Sequence, residues 1–166
     1  MLKLEYKQYN YKYPDFFSNE KKVLEGALNT NVDIIHIGST SISDLGGKEI
    51  IDIMITSPIN DLKEVRTQLI KLNYQHNKNL SFGDREFFNK DKENNHDRIR
   101  IHLHLTFKNS PAYEKAVLFK KYLLTNKEEA LKYQNLKKRA IKEAQSDYKK
   151  YRQIKNKYID NLLKHI

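Results

Sequence analysis

Two apolar runs separated by a short polar turn constrain this chain more than any other feature. The first run occupies residues 32–37 and ends at residues 38–41, Gly-Ser-Thr-Ser. The second run, residues 50–55, is rich in Ile and carries one acid, Asp52, in its middle. Short runs of β-branched residues favour strands, and Gly followed by Ser favours a turn. The segment therefore predicts a strand, a turn, a short helix or loop, and a second strand that bears an acid.

The residue types in this turn suit a phosphate site. Gly38 has no Cβ atom, so a ligand can approach its backbone N–H closely. The three hydroxyl residues that follow offer donors for phosphate oxygens, especially where a helix begins. A charge in an apolar run is unfavourable unless it is paired or binds a cation, and a carboxylate facing a phosphate site commonly holds Mg²⁺. Two alternatives stay open: an ordinary turn, and an ion pair between Asp52 and a nearby Arg or Lys.

The size and composition of the chain limit its class. At 166 residues and 19.8 kDa, it is most simply one domain with its own core. No apolar run is long enough to cross a bilayer, and the first residues lack the apolar core of a signal peptide. We therefore expect a cytoplasmic protein with no membrane partner. The absence of cysteine excludes disulfides, thiol catalysis and zinc–thiolate sites.

The positive charge of the chain is concentrated in its C-terminal region. The net charge is +10, and residues 120–166 hold twelve Lys and two Arg against five acidic residues. Such a field attracts nucleotides, phosphorylated small molecules or RNA. A lysine-rich helix surface in contact with solvent is the alternative interpretation.

A second informative stretch, residues 98–107, alternates strictly between apolar and cationic side chains. Alternate residues of a strand face opposite sides of a sheet. One face is therefore predicted to enter the core, and the opposite face to carry Arg98, Arg100, His102 and His104. Two His side chains two residues apart on a strand reach one ion or one phosphate. An exposed face with incidental imidazoles is the alternative.

The remaining segments are predicted to form helices and short strands. Apolar spacing predicts five helices, at about residues 16–28, 61–72, 111–124, 127–144 and 146–163. Residues 125–128 fit a capping box for the fourth of these helices. We expect a strand over residues 82–89, followed by a mobile polar loop over residues 90–97. The run at residues 32–37 has two apolar faces, which predicts a central, covered strand with His36 in the interior.

These segments together resemble the GrpB family of the nucleotidyltransferase superfamily. The matching segments include residues 36–41, Lys48, residues 50–53 and residues 100–105, with Tyr133 to Lys137 and Tyr151 to Lys155 near the end. The resemblance covers nearly the whole chain. It implies an α/β (α+β) fold, a nucleotidyltransferase-like small mixed β-sheet with packed helices and a C-terminal region of about three helices. The implied domain is single, residues 1–166, with the sheet in 1–108 and the C-terminal helices in 109–166.

The resemblance also implies roles for individual residues. Active members of the superfamily use two or three carboxylates to hold Mg²⁺ on a triphosphate. Here Asp52 stands at the first acid position, Met54 at the second, and His102 and His104 where a third acid is expected. The implied catalytic and metal-binding residues are thus Asp52, His102 and His104, with Mg²⁺ or Mn²⁺ expected ahead of Zn²⁺, although imidazoles suit Mg²⁺ poorly and would also suit a directly bound phosphate. The implied nucleotide- and phosphate-binding residues are Gly38, Ser39, Thr40, Ser41, Lys48, Arg85 and Arg100.

Three functions are consistent with these residues. The first is transfer of a nucleoside monophosphate from an NTP substrate to a small-molecule acceptor, with His102 or His104 binding metal or acting as a base. The second is a non-catalytic module of the same fold that binds a nucleotide or another anion. The third is an RNA-associated protein that uses the basic C-terminal helices.

Overall fold

A mixed five-stranded sheet organises the molecule. The computed structural model describes residues 4–94 and 97–166. The strands are β1 (Asp33–Ile37), β2 (Ile50–Ser57), β3 (Gln75–His76), β4 (Glu86–Asn94) and β5 (Asp97–Phe107), in the spatial order β1-β2-β5-β4-β3. Neighbouring strands are antiparallel except for β2 and β5, which are parallel. The helices are α1 (Tyr13–Ala27), α2 (Leu62–Lys71), α3 (Pro111–Thr125), α4 (Lys127–Ala144) and α5 (Tyr148–Leu163).

The apolar face of β5 builds the main core, as its alternating sequence predicts. Leu103 and Leu105 are almost fully buried, in one cluster with Leu24 of α1 and Leu69 of α2. Burying a Leu side chain of this kind contributes about 1.5–3 kcal/mol, so this layer is a major source of stability. The opposite face of β5 carries the His residues and is turned away from this core, which leaves it available for a site.

Strand β1 lies at the edge of the sheet, so the prediction of a central strand was wrong. Its apolar character is explained by the helices that cover it. The Phe17 ring stacks on His36 with 4.6 Å between ring centroids, and Lys120 Nζ donates a hydrogen bond of 2.8 Å to the His36 carbonyl. Covering an edge in this way prevents pairing with another chain. His36 itself is interior, as predicted, and burial lowers its pKa to about 4.

The polar residues 90–97 are a second correction, because most of the expected loop belongs to strands β4 and β5. The pairing of these strands continues to Asn94 opposite Asp97, while the remaining tip residues, 95–96, lie outside the described residues. Composition misled the prediction here, since the polar side chains of this hairpin are held by ion pairs. Lys92 Nζ lies 2.9 Å from a carboxylate oxygen of the buried Glu20, for example.

Helices α3 and α4 begin at the predicted residues, and α5 begins at Tyr148, two residues after the predicted position. Ser110 caps α3, accepting a hydrogen bond of 3.1 Å from the N–H of Tyr113. The predicted capping box of α4 was wrong, because Thr125 is the last residue of α3 and its hydroxyl donates back to the Tyr122 carbonyl. Asn126 precedes α4 instead and makes no capping hydrogen bond with its side chain. Across the described residues, no helix is both long and apolar enough to cross a membrane.

Candidate anion-binding site

The turn after β1 lies directly against Asp52 of β2. Gly38 has a φ of +71°, in the region that favours glycine, and a Cβ atom at this position would lie 2.3 Å from Asp52 Oδ2. Ser39 then opens a single turn of 3-10 helix, which Ser41 fastens by donating a hydrogen bond of 2.8 Å to the Gly38 carbonyl. The sequence therefore needs glycine here to bring the turn and the acid together.

The two strand histidines lie on the other side of the same acid. Parallel pairing of β2 with β5 sets Asp52 opposite His102 and Met54 opposite His104. His102 Nδ1 lies 3.5 Å from Asp52 Oδ1, and His104 Nε2 lies 3.8 Å from it. Burial alone would raise the pKa of Asp52, but the adjacent imidazoles hold it below its ordinary value, while burial lowers the pKa of His104. Asp52 is thus a carboxylate beside a neutral His104 at neutral pH.

Two buried lysines from different elements are influenced electrostatically by this carboxylate. Lys48 lies two residues before β2, and its Nζ lies 4.9 Å from the centroid of the Tyr151 ring. Burial, followed by repulsion from Lys155 of α5, lowers the pKa of Lys48 to about 8, while Asp52 opposes this change. The pKa of Lys155 is lowered by burial, and again Asp52 opposes the change. Within the described part of the chain, neither ammonium group has a carboxylate within the 4.0 Å of an ion pair.

A third lysine, Lys137 of α4, enters from the side of the turn. Its side chain is 2% exposed, and its Nζ donates a hydrogen bond to the Gly46 carbonyl. A Cβ atom at Gly47 would lie 3.6 Å from Lys137 Nζ and 2.5 Å from Ser39 Oγ, so the hydroxyl and the ammonium group border the same point. Burial and the charge of Lys155 lower the pKa of Lys137 to about 7.

Arg85, at the start of β4, completes the cationic lining. Its Nη2 donates a hydrogen bond of 3.1 Å to the Leu80 carbonyl, and its guanidinium lies 4.6 Å from the centroid of the Phe82 ring. Burial lowers the pKa of Arg85, and Asp52 opposes the change. In residues 4–94 and 97–166, Arg85 Nε and His104 Nδ1 are buried atoms without a hydrogen-bond partner. Buried polar atoms are usually paired, so these two are suited to a ligand.

Two predicted phosphate ligands have their polar groups engaged inside the protein. The Thr40 hydroxyl donates a hydrogen bond of 3.0 Å to the Ile50 carbonyl and lies 2.9 Å from His36 Nε2. Thr40 is 2% exposed, so it stabilises the turn and is not offered to a ligand, contrary to the prediction. Arg100 lies on the same face as His102 but binds both carboxylate oxygens of Asp91, at 2.6 and 2.5 Å.

The side chains around Asp52 do not fit a divalent metal ion. Asp52 supplies the carboxylate, while the predicted second acid position is the buried, apolar Met54. In the part of the chain that the structure describes, no group of three or more His, Cys, Asp or Glu is placed to hold a metal. The lysines described above would also repel a cation, since like charges in a half-buried pocket are weakly screened.

Lys137 and Lys155 are the site residues that the sequence reasoning missed. They entered it as part of the family resemblance, with no role assigned. A usable signal was present, because Lys137 occupies the buried stripe of α4 together with Tyr133, Ala140 and Ala144. A lysine on an apolar helix stripe is unusual and calls for a partner.

Two tyrosines of α5, whose rings would be needed to stack on RNA bases, are engaged within the protein. Tyr151 is 2% exposed, and the Tyr158 hydroxyl donates a hydrogen bond to Glu129. The Tyr158 ring also stacks on Tyr133, with 5.7 Å between centroids. RNA association through these rings gains no support from their positions and stays a prediction.

The sheet, the glycine turn against the acid strand and the helices over it define a nucleotidyltransferase-like α+β domain, which confirms the predicted fold class. The family model described as GrpB protein matches residues 3–165. The chain therefore belongs to the GrpB family, as its motifs predicted. The UPF0157 protein YqkA of Bacillus subtilis (strain 168) is 29% identical over 159 residues, which cover 95% of this chain and 45% of YqkA. This chain thus spans less than half of that relative.

Two solved structures share the fold of this chain. The conserved protein GrpB from Enterococcus faecalis superposes with a TM-score of 0.75 at 22% identity, covering 96% of this chain and 99% of that one. A chain of the GLD-2/RNP-8 complex gives a TM-score of 0.58 at 12% identity, covering 87% of this chain and 58% of that one. At these identities the two likenesses establish the fold alone.

Proposed function

We propose that the pocket between the Gly38 turn, Asp52 and helices α4 and α5 binds the phosphates of a nucleotide or another phosphorylated small molecule. The observation that carries this proposal is that the Ser39 hydroxyl and the Lys137 ammonium group border one point beside Gly47. Burial lowers the pKa of Lys48, Lys137 and Lys155, and Asp52 opposes this change in each. Mutual repulsion disfavours the charged forms of these three lysines, and burial strengthens that repulsion. A bound anion would relieve that repulsion, so the arrangement suits a ligand that brings negative charge.

The donors around the pocket match phosphate oxygens in kind. Ser39 Oγ borders the same point as Lys137 Nζ, and Lys155 approaches from α5. Ammonium groups and hydroxyls form charge-assisted hydrogen bonds with phosphate, each stronger than a neutral pair. Arg85 Nε is a further buried N–H donor that lacks a hydrogen-bond partner within the described residues.

The fold supports a nucleotide as the molecule that carries these phosphates. The nucleotidyltransferase-like architecture places the glycine turn and Asp52 side by side at one end of β1. The sequence resemblance to that superfamily implies that the same turn contacts a triphosphate. Among phosphorylated ligands, an NTP is therefore the first to test.

Calorimetric titration of ATP into the wild-type protein and two variants tests this proposal. Lys155→Met should weaken binding by about tenfold or more, because one charge-assisted contact contributes roughly 1.5–3 kcal/mol. Lys157→Met removes the same charge from an exposed position two residues away on α5 and should leave affinity unchanged. Absence of binding at millimolar ATP and inorganic phosphate, with and without Mg²⁺, would overturn the proposal.

A second candidate is transfer of a nucleoside monophosphate from an NTP to a small acceptor that carries a hydroxyl group. The contact between Asp52 and His102 favours it, since a carboxylate beside an imidazole supports general-base catalysis. His102 would take the acceptor proton while the acceptor oxygen bonds to the α-phosphorus, and the α–β bridging bond would break to release pyrophosphate. Product from labelled ATP that disappears in Asp52→Asn would support this activity; equal product in that variant would exclude these roles.

A further inference from the structure

We propose that this pocket holds its phosphate ligand without a divalent cation, the ammonium groups of Lys48, Lys137 and Lys155 providing the positive charge. The inference rests on the proposed function, because it concerns the charge state of the ligand bound in that pocket. It assigns the ligand class as a metal-free polyphosphate, such as free ATP or pyrophosphate.

The residues beside Asp52 offer few oxygen atoms that would hold a metal. Divalent ions on polyphosphates are held by several oxygen ligands from the protein, and Mg²⁺ in particular prefers oxygen. Here Asp52 faces two imidazoles, and the next inward position on β2 is Met54, which is 1% exposed. A metal would therefore have one protein carboxylate where two or three are usual.

Both oxygens of the Asp52 carboxylate already have close protein neighbours. A Cβ atom at residue 38 would lie 2.3 Å from Asp52 Oδ2. Asp52 Oδ1 lies 3.5 Å from His102 Nδ1 and 3.8 Å from His104 Nε2. The side chain is 26% exposed, so it is accessible at one side only in part. Asp52 is thus already in contact with the Gly38 turn and the two imidazoles, which leaves little of its carboxylate for a metal ion.

The charged groups near Asp52 include three lysines. Lys48, Lys137 and Lys155 come from three separate elements, and Lys137 Nζ borders Ser39 Oγ beside Gly47. In the described ranges no carboxylate lies within ion-pair distance of any of these three lysines. A divalent cation at Asp52 would be repelled by these ammonium groups, whereas a polyphosphate would be attracted. Mg²⁺ neutralises two charges of ATP and occupies some of its phosphate oxygens. The magnesium complex therefore offers this pocket less negative charge and fewer free phosphate oxygens than free ATP does.

Calorimetry of ATP with excess EDTA and with excess Mg²⁺, at equal ionic strength, tests the inference. We expect free ATP to bind at least fivefold more tightly than its magnesium complex, and Mn²⁺ alone to give no stoichiometric binding. Binding that requires Mg²⁺, or a stoichiometric Mn²⁺ site, would overturn the inference while the proposed function stands. Failure of both forms of ATP to bind would overturn the proposed function as well.

A charge variant separates a designed site from general attraction to a basic protein. Lys155→Met should weaken the binding of free ATP more than the binding of the magnesium complex, because the lost ammonium group attracts the more highly charged ligand more strongly. The matched variant Lys157→Met, on the exposed side of α5, should change neither affinity. Equal losses in the two variants would overturn the inference, since they would show a non-specific field in place of a site.

Discussion

The α-carbon of Gly38 is packed against the carboxylate of Asp52, so closely that any side chain at position 38 would enter the space of that acid. A Cβ atom there would lie 2.3 Å from Asp52 Oδ2 and 2.9 Å from Asp52 Cβ. The turn and the acid are therefore fixed relative to each other, and the cationic groups are arranged around this fixed pair.

Gly38→Ala is expected to destabilise the protein by about 2–4 kcal/mol, because a left-handed φ and a steric clash act together. Gly83→Ala is the matched control, since Gly83 has a φ of +60° but nothing within 4 Å of a Cβ atom there. That variant should lose only about 1 kcal/mol, for conformation alone. Urea unfolding of both variants measures the difference, and equal losses would show that Asp52 does not crowd Gly38.

Ser39 and Thr40 are expected to give opposite phenotypes although they are neighbours. Thr40→Ala removes a buried hydroxyl that bonds the Ile50 carbonyl, so stability should fall by about 1–2 kcal/mol while ATP affinity is unchanged. Ser39→Ala removes a hydroxyl that borders Lys137 Nζ, so ATP affinity should fall several-fold while stability is unchanged. Urea unfolding and calorimetry on both variants check this; a loss of affinity in Thr40→Ala alone would reverse the assignment.

Asp52→Asn is expected to tighten binding of free ATP by roughly three- to tenfold, because it removes a negative charge beside the phosphates. The same change should abolish any transfer reaction. Asp33→Asn is the control of equal charge, since Asp33 is exposed and pairs with Lys108. Weaker ATP binding in Asp52→Asn than in Asp33→Asn would indicate that Asp52 holds a cation for the ligand.

Stability is expected to rise with pH between about 7 and 9.5, because the folded protein binds fewer protons than the unfolded chain in that window. The cause is Lys137, whose pKa falls from 10.5 to about 7, and Lys48, whose pKa falls to about 8. Their unfolded forms stay protonated there, so raising the pH favours the folded state, until tyrosines of the unfolded chain ionise near pH 10.

Urea midpoints across this pH range check the prediction. The slope of the urea midpoint against pH should be smaller in Lys137→Met and in Lys48→Met. It should be unchanged in Lys142→Met, which alters an exposed lysine of α4. A flat profile in the wild-type protein, or equal slopes in all variants, would show that burial does not lower the pKa of these lysines.

The local parts of this structure could be predicted from the sequence because they depend on short-range patterns. Strict alternation at residues 98–107 predicted β5 and its two faces, and the apolar runs around the glycine turn predicted β1 and β2. The beginning of α3 at Pro111 was also predicted, since Pro is common in the first turn of a helix. The family resemblance then supplied the architecture that these patterns leave open.

Features that depend on packing between distant segments were not predictable in the same way. Lys137 and Lys155 lie on helices α4 and α5, and no local sequence pattern specifies where these helices pack. The edge position of β1 was missed because α1 and α3 bury its apolar residues from outside the sheet. Thr40 was misassigned since a hydroxyl in a turn can bond inward or outward.

A crystal structure of the protein with a non-hydrolysable ATP analogue, prepared in EDTA, would locate the phosphates themselves. We expect phosphate density between Ser39 Oγ, Lys137 Nζ and Lys155 Nζ, next to the Gly38 turn and with no metal bridging it to Asp52. An analogue bound elsewhere on the surface, or a pocket without density at a saturating concentration of the analogue, would contradict it.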